Sequence, residues 1–182
     1  MKDIEIIFFV LLRMTSEKDL FVINDFMIDK DRLCEFLVEA KKSTYAAGSS
    51  RPEKSGKDFS TTLTFRNGNW KYHDNYFGGE PYGGREVVFF KGQPVYIMTY
   101  YGAVNDSISD LKMIYAFLQE ALSLIPLDKP FRGPKEYKKD NITYINNFFG
   151  EVDNFSGEEK IFLDGKEVYT AKYMGGFVDQ RK

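Results

Sequence analysis

NWKYHDNYFGGEPYGGREVVFFKGQPVYIMTYYG, residues 69–102, holds the one Trp, the one His and two glycine pairs of the chain. Side chains alternate across an extended strand, so Trp70, Tyr72, Asp74 and Tyr76 share one face and Lys71, His73, Asn75 and Phe77 the other. Gly78-Gly79-Glu80-Pro81-Tyr82-Gly83-Gly84 reads as a loop that breaks this strand, because glycine tolerates positive φ and Pro81 lacks a ladder donor. Val87–Phe90 reads as a strand buried on both sides. Lys91-Gly92-Gln93-Pro94 reads as a tight turn, and Val95–Tyr101 as the antiparallel return.

Upstream, 61–65 and 69–77 form a hairpin in which Asn67-Gly68 supplies the turn. Leu33, Phe36, Leu37 and Ala40 recur at i, i+3, i+4 and i+7, giving a helix capped by Asp29 or Asp31 and ending near Lys42. Residues 43–59 are small, polar and charged, with Pro52 and several glycines and serines, and read as a long loop of the kind that often serves as a lid. Residues 1–14 contain the apolar run Ile6–Leu12, which fits a buried strand or a helix, the helix being preferred, and 15–30 read as a connector with one short ordered piece.

Downstream, Leu111, Ile114, Tyr115, Leu118, Leu122 and Ile125 mark a long amphipathic helix over 109–125, capped near Ser107 and Asp110 and stopped by Pro126. Three more strands follow at 142–149, 160–163 and 168–173, the last two joined at Asp164-Gly165. Strands linked by hairpins around one long helix describe an α+β domain. We expect a single antiparallel sheet of about six or seven strands packed with that central helix, the N-terminal helix covering an edge or end. Residues 1–30 form an N-terminal extension and 31–178 the domain.

Charge and composition set several functions aside. With 25 Lys+Arg against 27 Asp+Glu the net charge is −2, so no positive field draws the chain directly to nucleic acid. The seven-residue run Ile6–Leu12 is too short to span a bilayer and is wrongly flanked for export, which places the protein in the cytoplasm. Three glycosylation acceptor patterns, at Asn105, Asn141 and Asn154, therefore carry no weight. The single Cys34 falls on a helical apolar pattern and reads as a small buried hydrophobe.

No catalytic or metal-binding residue is assigned, and no cofactor is expected. Gly79–Gly84 has phosphate-loop spacing, but Arg85-Glu86 stands where Lys-Ser/Thr is required and the loop joins two strands. It is either a structural turn or a place where a ligand approaches backbone closely. His73 and Asp74 point to opposite faces, so a His73 site requires an acid from a neighbouring strand, Glu86 or Glu151 being candidates. One His without a cysteine cluster argues against zinc. Glu80, Glu86, Glu151, Asp153, Glu158 and Glu159 include possible carboxylate pairs for acid-base hydrolysis, or are solvated turn acids. Arg132, between Phe131 and Gly133, is an anion-holding candidate or a structural partner of a nearby acid.

The motifs FLVEAKKSTYA (36–46), YFGGEPYGGREVVF (76–89), MTYYG (98–102), PFRGPKEY (130–137), YINNFFGEVDNFSGEE (144–159) and YMGG (173–176) resemble, in that order, the bacterial domain of unknown function DUF5680 over about 32–178. The resemblance implies a regulatory or ligand-sensing role, since the domain often follows an XRE-type helix-turn-helix. It supplies no catalytic residues. Only about 31 residues precede the domain here, too few for such a DNA-reading module, so a regulatory role calls for a protein partner or a homodimer.

Aromatic density and this resemblance together give the leading expectation of a non-enzymatic, small-molecule-binding, sensory or regulatory domain. Its pocket would be lined by Trp70, Tyr72, Tyr76, Tyr82, Tyr96, Tyr100 and Tyr101, with Arg132 or Glu86 orienting the ligand. The alternatives are a carboxylate-dependent hydrolase or lyase, marked by acids that meet in a cleft with shifted pKa values, and a protein-interaction module with an exposed aromatic patch.

Overall fold

Alternation of period two carries most of the chain into one sheet. A computed structural model describes residues 20–24, 26–47, 53–54 and 57–180, and the helix expected within 1–14 lies outside them. The expected connector contains a hairpin, β1 (Leu20–Ile23) and β2 (Phe26–Asp29). Asp29 then caps α1 (Lys30–Ser43), accepting from the backbone N–H of Asp31 at 2.9 Å. Leu33, Phe36, Leu37 and Ala40 are buried as their spacing predicts. The expected loop over 43–59 lies partly outside the described residues. Within it, Tyr45–Ala47 form a 3₁₀ turn and Glu53–Lys54 a two-residue edge strand, β3.

The main strands are β4 (Thr61–Asn67), β5 (Trp70–Gly78), β6 (Tyr82–Phe90) and β7 (Gln93–Val104), then β8 (Glu136–Lys139), β9 (Ile142–Glu151), β10 (Asn154–Leu163) and β11 (Lys166–Phe177). Helix α2 (Leu111–Ser123) separates the two groups, with the Asp110 side chain accepting from the Met113 N–H at its start. The sheet is antiparallel throughout, in the order β3-β4-β5-β6-β7-β11-β10-β9-β8. It has nine strands rather than six or seven: β8 is short and polar and β3 has two residues, so neither shows the apolar run that marks a strand.

Two further expectations are corrected. Gly83 and Gly84 lie inside β6, not in a loop. A Cβ on Gly84 would sit 2.7 Å from the Tyr100 hydroxyl and 2.5 Å from the Asn75 carbonyl oxygen, so glycine here makes room for a tyrosine rather than breaking a strand. Helix α1 covers a face, not an edge. Its Leu33, Phe36, Leu37 and Ala40 share a core with Tyr72, Val88, Val95, Tyr96 and Met98, to which Ile23 and Ile28 of the first hairpin add. Helix α2 covers the other half of that face, placing Ile114, Phe117, Leu118 and Leu122 against Tyr144, Ile161, Val168 and Tyr169.

The two halves of the sheet are versions of one unit, a helix followed by a four-strand meander, joined where the last strand of each pairs, β7 with β11. Residues 84–102 align with 157–175 without a gap. Gly84/Gly157, Glu86/Glu159, Phe89/Phe162, Gly92/Gly165, Val95/Val168, Tyr96/Tyr169, Tyr100/Tyr173 and Gly102/Gly175 are identical. The backbone repeats with them. A bulge falls between Val88 and Phe89 and again between Ile161 and Phe162. Lys91 and Gly92 (φ 48° and 86°) match Asp164 and Gly165 (φ 50° and 76°) in hairpin turns. Upstream, Asn69–Gly78 aligns with Asn141–Gly150, so that Tyr72 matches Tyr144 and Asp74 matches Asn146.

Candidate functional site

Both helices lie on the same side of the sheet, and their C-terminal ends leave a gap over β5, β6 and β7. The gap is a cavity of about 340 Å³. Its floor is Tyr72, Asp74, Tyr76, Tyr82, Glu86 and Tyr100, and its walls are Lys41 in the last turn of α1, Thr44, Tyr45 and Ala46 after it, Tyr115, Leu122 and Ile125 along and beyond α2, and the bend Phe131–Arg132. At the mouth the Tyr115 hydroxyl donates to Glu80 Oε2 at 2.6 Å, tying the β5–β6 turn to α2, while Glu80 Oε1 accepts from the Val104 N–H at 2.9 Å.

Asp74 and Glu86 face each other in register across β5 and β6 and are both buried. The Tyr100 hydroxyl donates to Asp74 Oδ1 at 2.6 Å. Burial first, and then the Glu86 charge, push the Asp74 carboxyl up to about 7, against the pull of the Tyr100 hydrogen bond, Arg132 and Lys41. Lys41 Nζ lies 2.8 Å from Glu86 Oε2 and donates to the Phe131 carbonyl at 2.6 Å. Burial lowers the Lys41 pKa, and Glu86 opposes that shift. The lysine is the cation that Glu86 Oε2 meets in the cavity wall.

The equivalent place in the second half is filled. Glu159, fully buried, accepts from Arg132 Nε at 3.0 Å and Nη2 at 2.6 Å, from the Tyr169 hydroxyl at 2.9 Å and from the Tyr144 hydroxyl at 2.6 Å. Asn146 Oδ1 accepts from the Tyr173 hydroxyl at 2.6 Å, and its Nδ2 donates to the Gly133 carbonyl at 2.9 Å. Burial opposes charge on Arg132, and Glu159 more than offsets it, so the guanidinium stays protonated. Of the two readings of Arg132, pairing with a nearby acid is realised, at the cavity wall.

Six of the nine residues named from sequence, Tyr72, Tyr76, Tyr82, Glu86, Tyr100 and Arg132, meet in the cavity. Trp70 packs instead between Phe36 and Phe90 at the far end of β5. Tyr96 is sealed in the core, stacked with Phe155. Tyr101 is 61% exposed on the opposite side of the sheet, the side that also carries Met174 and Phe149. Glu86 shares the Asp74 face and so is not an acid for His73, whose register partners are Thr64 and Val87.

Lys41 is not among the residues named from sequence, and Asp74 and Glu159, named there as acids, are not among those expected to line the pocket. Lys41 falls at i+4 and i+8 from Leu37 and Leu33, so a lysine on the apolar stripe was readable as a buried cation. Asp74 is in phase with three aromatic residues on one strand face, which was readable as a buried acid. No group of three or more His, Cys, Asp or Glu side chains placed to hold a metal occurs among the described residues. No helix among them is long and apolar enough to cross a membrane.

The family model described as a domain of unknown function, DUF5680, matches residues 74–178, more than half of the 182-residue chain. The chain belongs to this family. The DUF5680 match takes in the second half of the sheet entire and begins at the buried acid of the first, Asp74. No curated protein and no solved structure matches the chain.

Proposed function

We propose that this DUF5680 protein is a small-molecule-binding module of sensory or regulatory type, its ligand held between the floor of β5–β7 and the C-terminal ends of the two helices. The observation that carries this reading is the cavity of about 340 Å³ in which aromatic walls converge on a few buried charged groups. A mere packing defect would be apolar. This one is lined by Asp74, Glu86, Lys41 and Arg132, groups costly to bury unless something uses them.

Thermal-shift screening of the full chain with a broad metabolite set is the test. Compounds that raise the Tm of the wild type lose their effect on Ala46→Trp, which fills the cavity from its wall, and on Tyr100→Ala. Stabilisation that survives both variants, or none across the set, removes the reading.

A second reading is favoured by one observation. Asp74 beside Glu86, with a carboxyl pushed up to about 7, suits a general acid or base of a hydrolase or lyase at neutral pH. It predicts turnover whose pH profile turns near neutrality and collapses in Asp74→Asn.

A further inference from the structure

We propose that the ligand of this cavity is an organic cation, an amine or quaternary ammonium carried on an apolar body, with Asp74 as its counter-ion. The proposal rests on the binding reading above and deepens it. Its first support is the balance of charge. Lys41 is taken by Glu86 at 2.8 Å and Arg132 by Glu159 at 2.6 Å. Among the described residues Asp74 has no ion-pair partner, so the cavity holds one carboxylate more than its cations satisfy. An anion would have to break one of two buried ion pairs to find a cation, whereas a cation breaks neither.

The comparison of the two halves supplies the second support. In the closed half the amide Nδ2 of Asn146 is the N–H donor, spent on the Gly133 carbonyl. The open half carries Asp74 at the equivalent position and so lacks that internal donor. A cation entering the cavity meets a carboxylate there, where the second half offers only a neutral amide. The third support is the lining: Tyr72, Tyr76, Tyr82, Tyr100 and Tyr115 surround the carboxylates, and tyrosine faces attract cations.

Proton balance follows. Asp74 is faced by Glu86, Tyr100, Arg132 and Lys41, and in the empty cavity its carboxyl takes a proton near neutrality. A bound ammonium holds it ionised, so a carboxylic acid plus an ammonium become a carboxylate–ammonium pair and one proton goes to solvent. Affinity for cations therefore rises with pH until Asp74 is ionised without help.

Calorimetry on the full chain with matched probes tests this: tyramine, its neutral isostere p-propylphenol and the anion p-hydroxyphenylacetate, and benzyltrimethylammonium against neopentylbenzene. The expected result is binding of the cations about tenfold or more tighter than their neutral isosteres, weakening by a similar factor from about pH 8 to about pH 5.5. Proton release should appear as a dependence on buffer ionisation enthalpy. Asp74→Asn, which copies Asn146, abolishes the preference and leaves the neutral probes unchanged. If that variant does not fold, proton release by the wild type decides. Binding of neutral or anionic probes without cations overturns the proposal and leaves the cavity reading intact. No stabilisation by any probe or by the broad set removes both.

Discussion

Tyr100 and Tyr173 are register partners on the two central strands, and each donates its hydroxyl at 2.6 Å to the matching side chain of its own half, Asp74 or Asn146. The two halves thus keep one hydrogen-bond plan around different chemistry. In one the acceptor is an ionisable acid lining a cavity, and in the other a neutral amide locked to backbone.

Stability should depend on pH through Asp74. Its carboxyl is raised from 3.8 to about 7 in the folded chain. The folded state therefore binds a proton more tightly than the unfolded one, and the contribution is full below about pH 4 and lost as pH rises through about 7. At about 1.4 kcal/mol per pKa unit this amounts to a few kcal/mol. Asp74→Asn should be more stable than wild type at pH above 7 and should show a flatter Tm-against-pH curve. Parallel curves for the two proteins would contradict the assignment.

Lys41 holds a buried carboxylate, so Lys41→Met should cost about 3–5 kcal/mol in urea unfolding by stranding Glu86. Adding Glu86→Leu should recover much of that loss, because removing both charges is far less harmful than removing one. A double variant as unstable as the single one would show that packing of the lysine stem, not charge, sets the cost.

Tyr96 and Tyr169 are equivalent by position and opposite in bonding. The Tyr96 hydroxyl is buried without a hydrogen-bond partner among the described residues, whereas that of Tyr169 bonds Glu159 at 2.9 Å and Tyr82 at 2.6 Å. Tyr96→Phe should leave Tm unchanged or raise it, and Tyr169→Phe should lower stability by about 1–3 kcal/mol. Equal losses in the two would mean the difference in bonding has no energetic weight.

Gly84 and Gly157 leave the space in which Tyr100 and Tyr173 stand. A Cβ at Gly84 would meet the Tyr100 hydroxyl at 2.7 Å, and one at Gly157 would meet the Tyr173 ring and hydroxyl. Alanine at either site should destabilise by about 1–3 kcal/mol through overpacking. Gly84→Ala should in addition pull Tyr100 away from Asp74 and, by removing a hydrogen bond that favours the ionised form, raise that carboxyl's proton affinity, which titration by carbon-detected NMR would reveal.

Much of the architecture was legible because alternation and turn chemistry act locally. The strand faces at Trp70–Tyr76, the Lys91-Gly92 and Asp164-Gly165 turns and both helical stripes follow from spacing alone. The Asn67-Gly68 hairpin formed one residue along, with Asn67 paired to Trp70 and Gly68 at φ 58°. Site membership was harder. Tyr100 and Tyr101 are neighbours on one strand, so period two itself turns their side chains to opposite sides of the sheet and only Tyr100 faces this cavity. Tyr96 and Trp70 share the correct face, but how far along a strand a helix stops covering it is a tertiary fact that no local pattern carries. The duplication is faint in the sequence because the link between its aligned blocks is one residue longer in the second copy and its identities are scattered along the strands.

The pairing of β7 with β11 gives the molecule a division of labour. One copy of the unit is saturated with internal bonds and anchors the folded chain. The other leaves Tyr72, Asp74 and Tyr76 facing a cavity, so a change of side chain there should disturb the fold less than a change around Glu159.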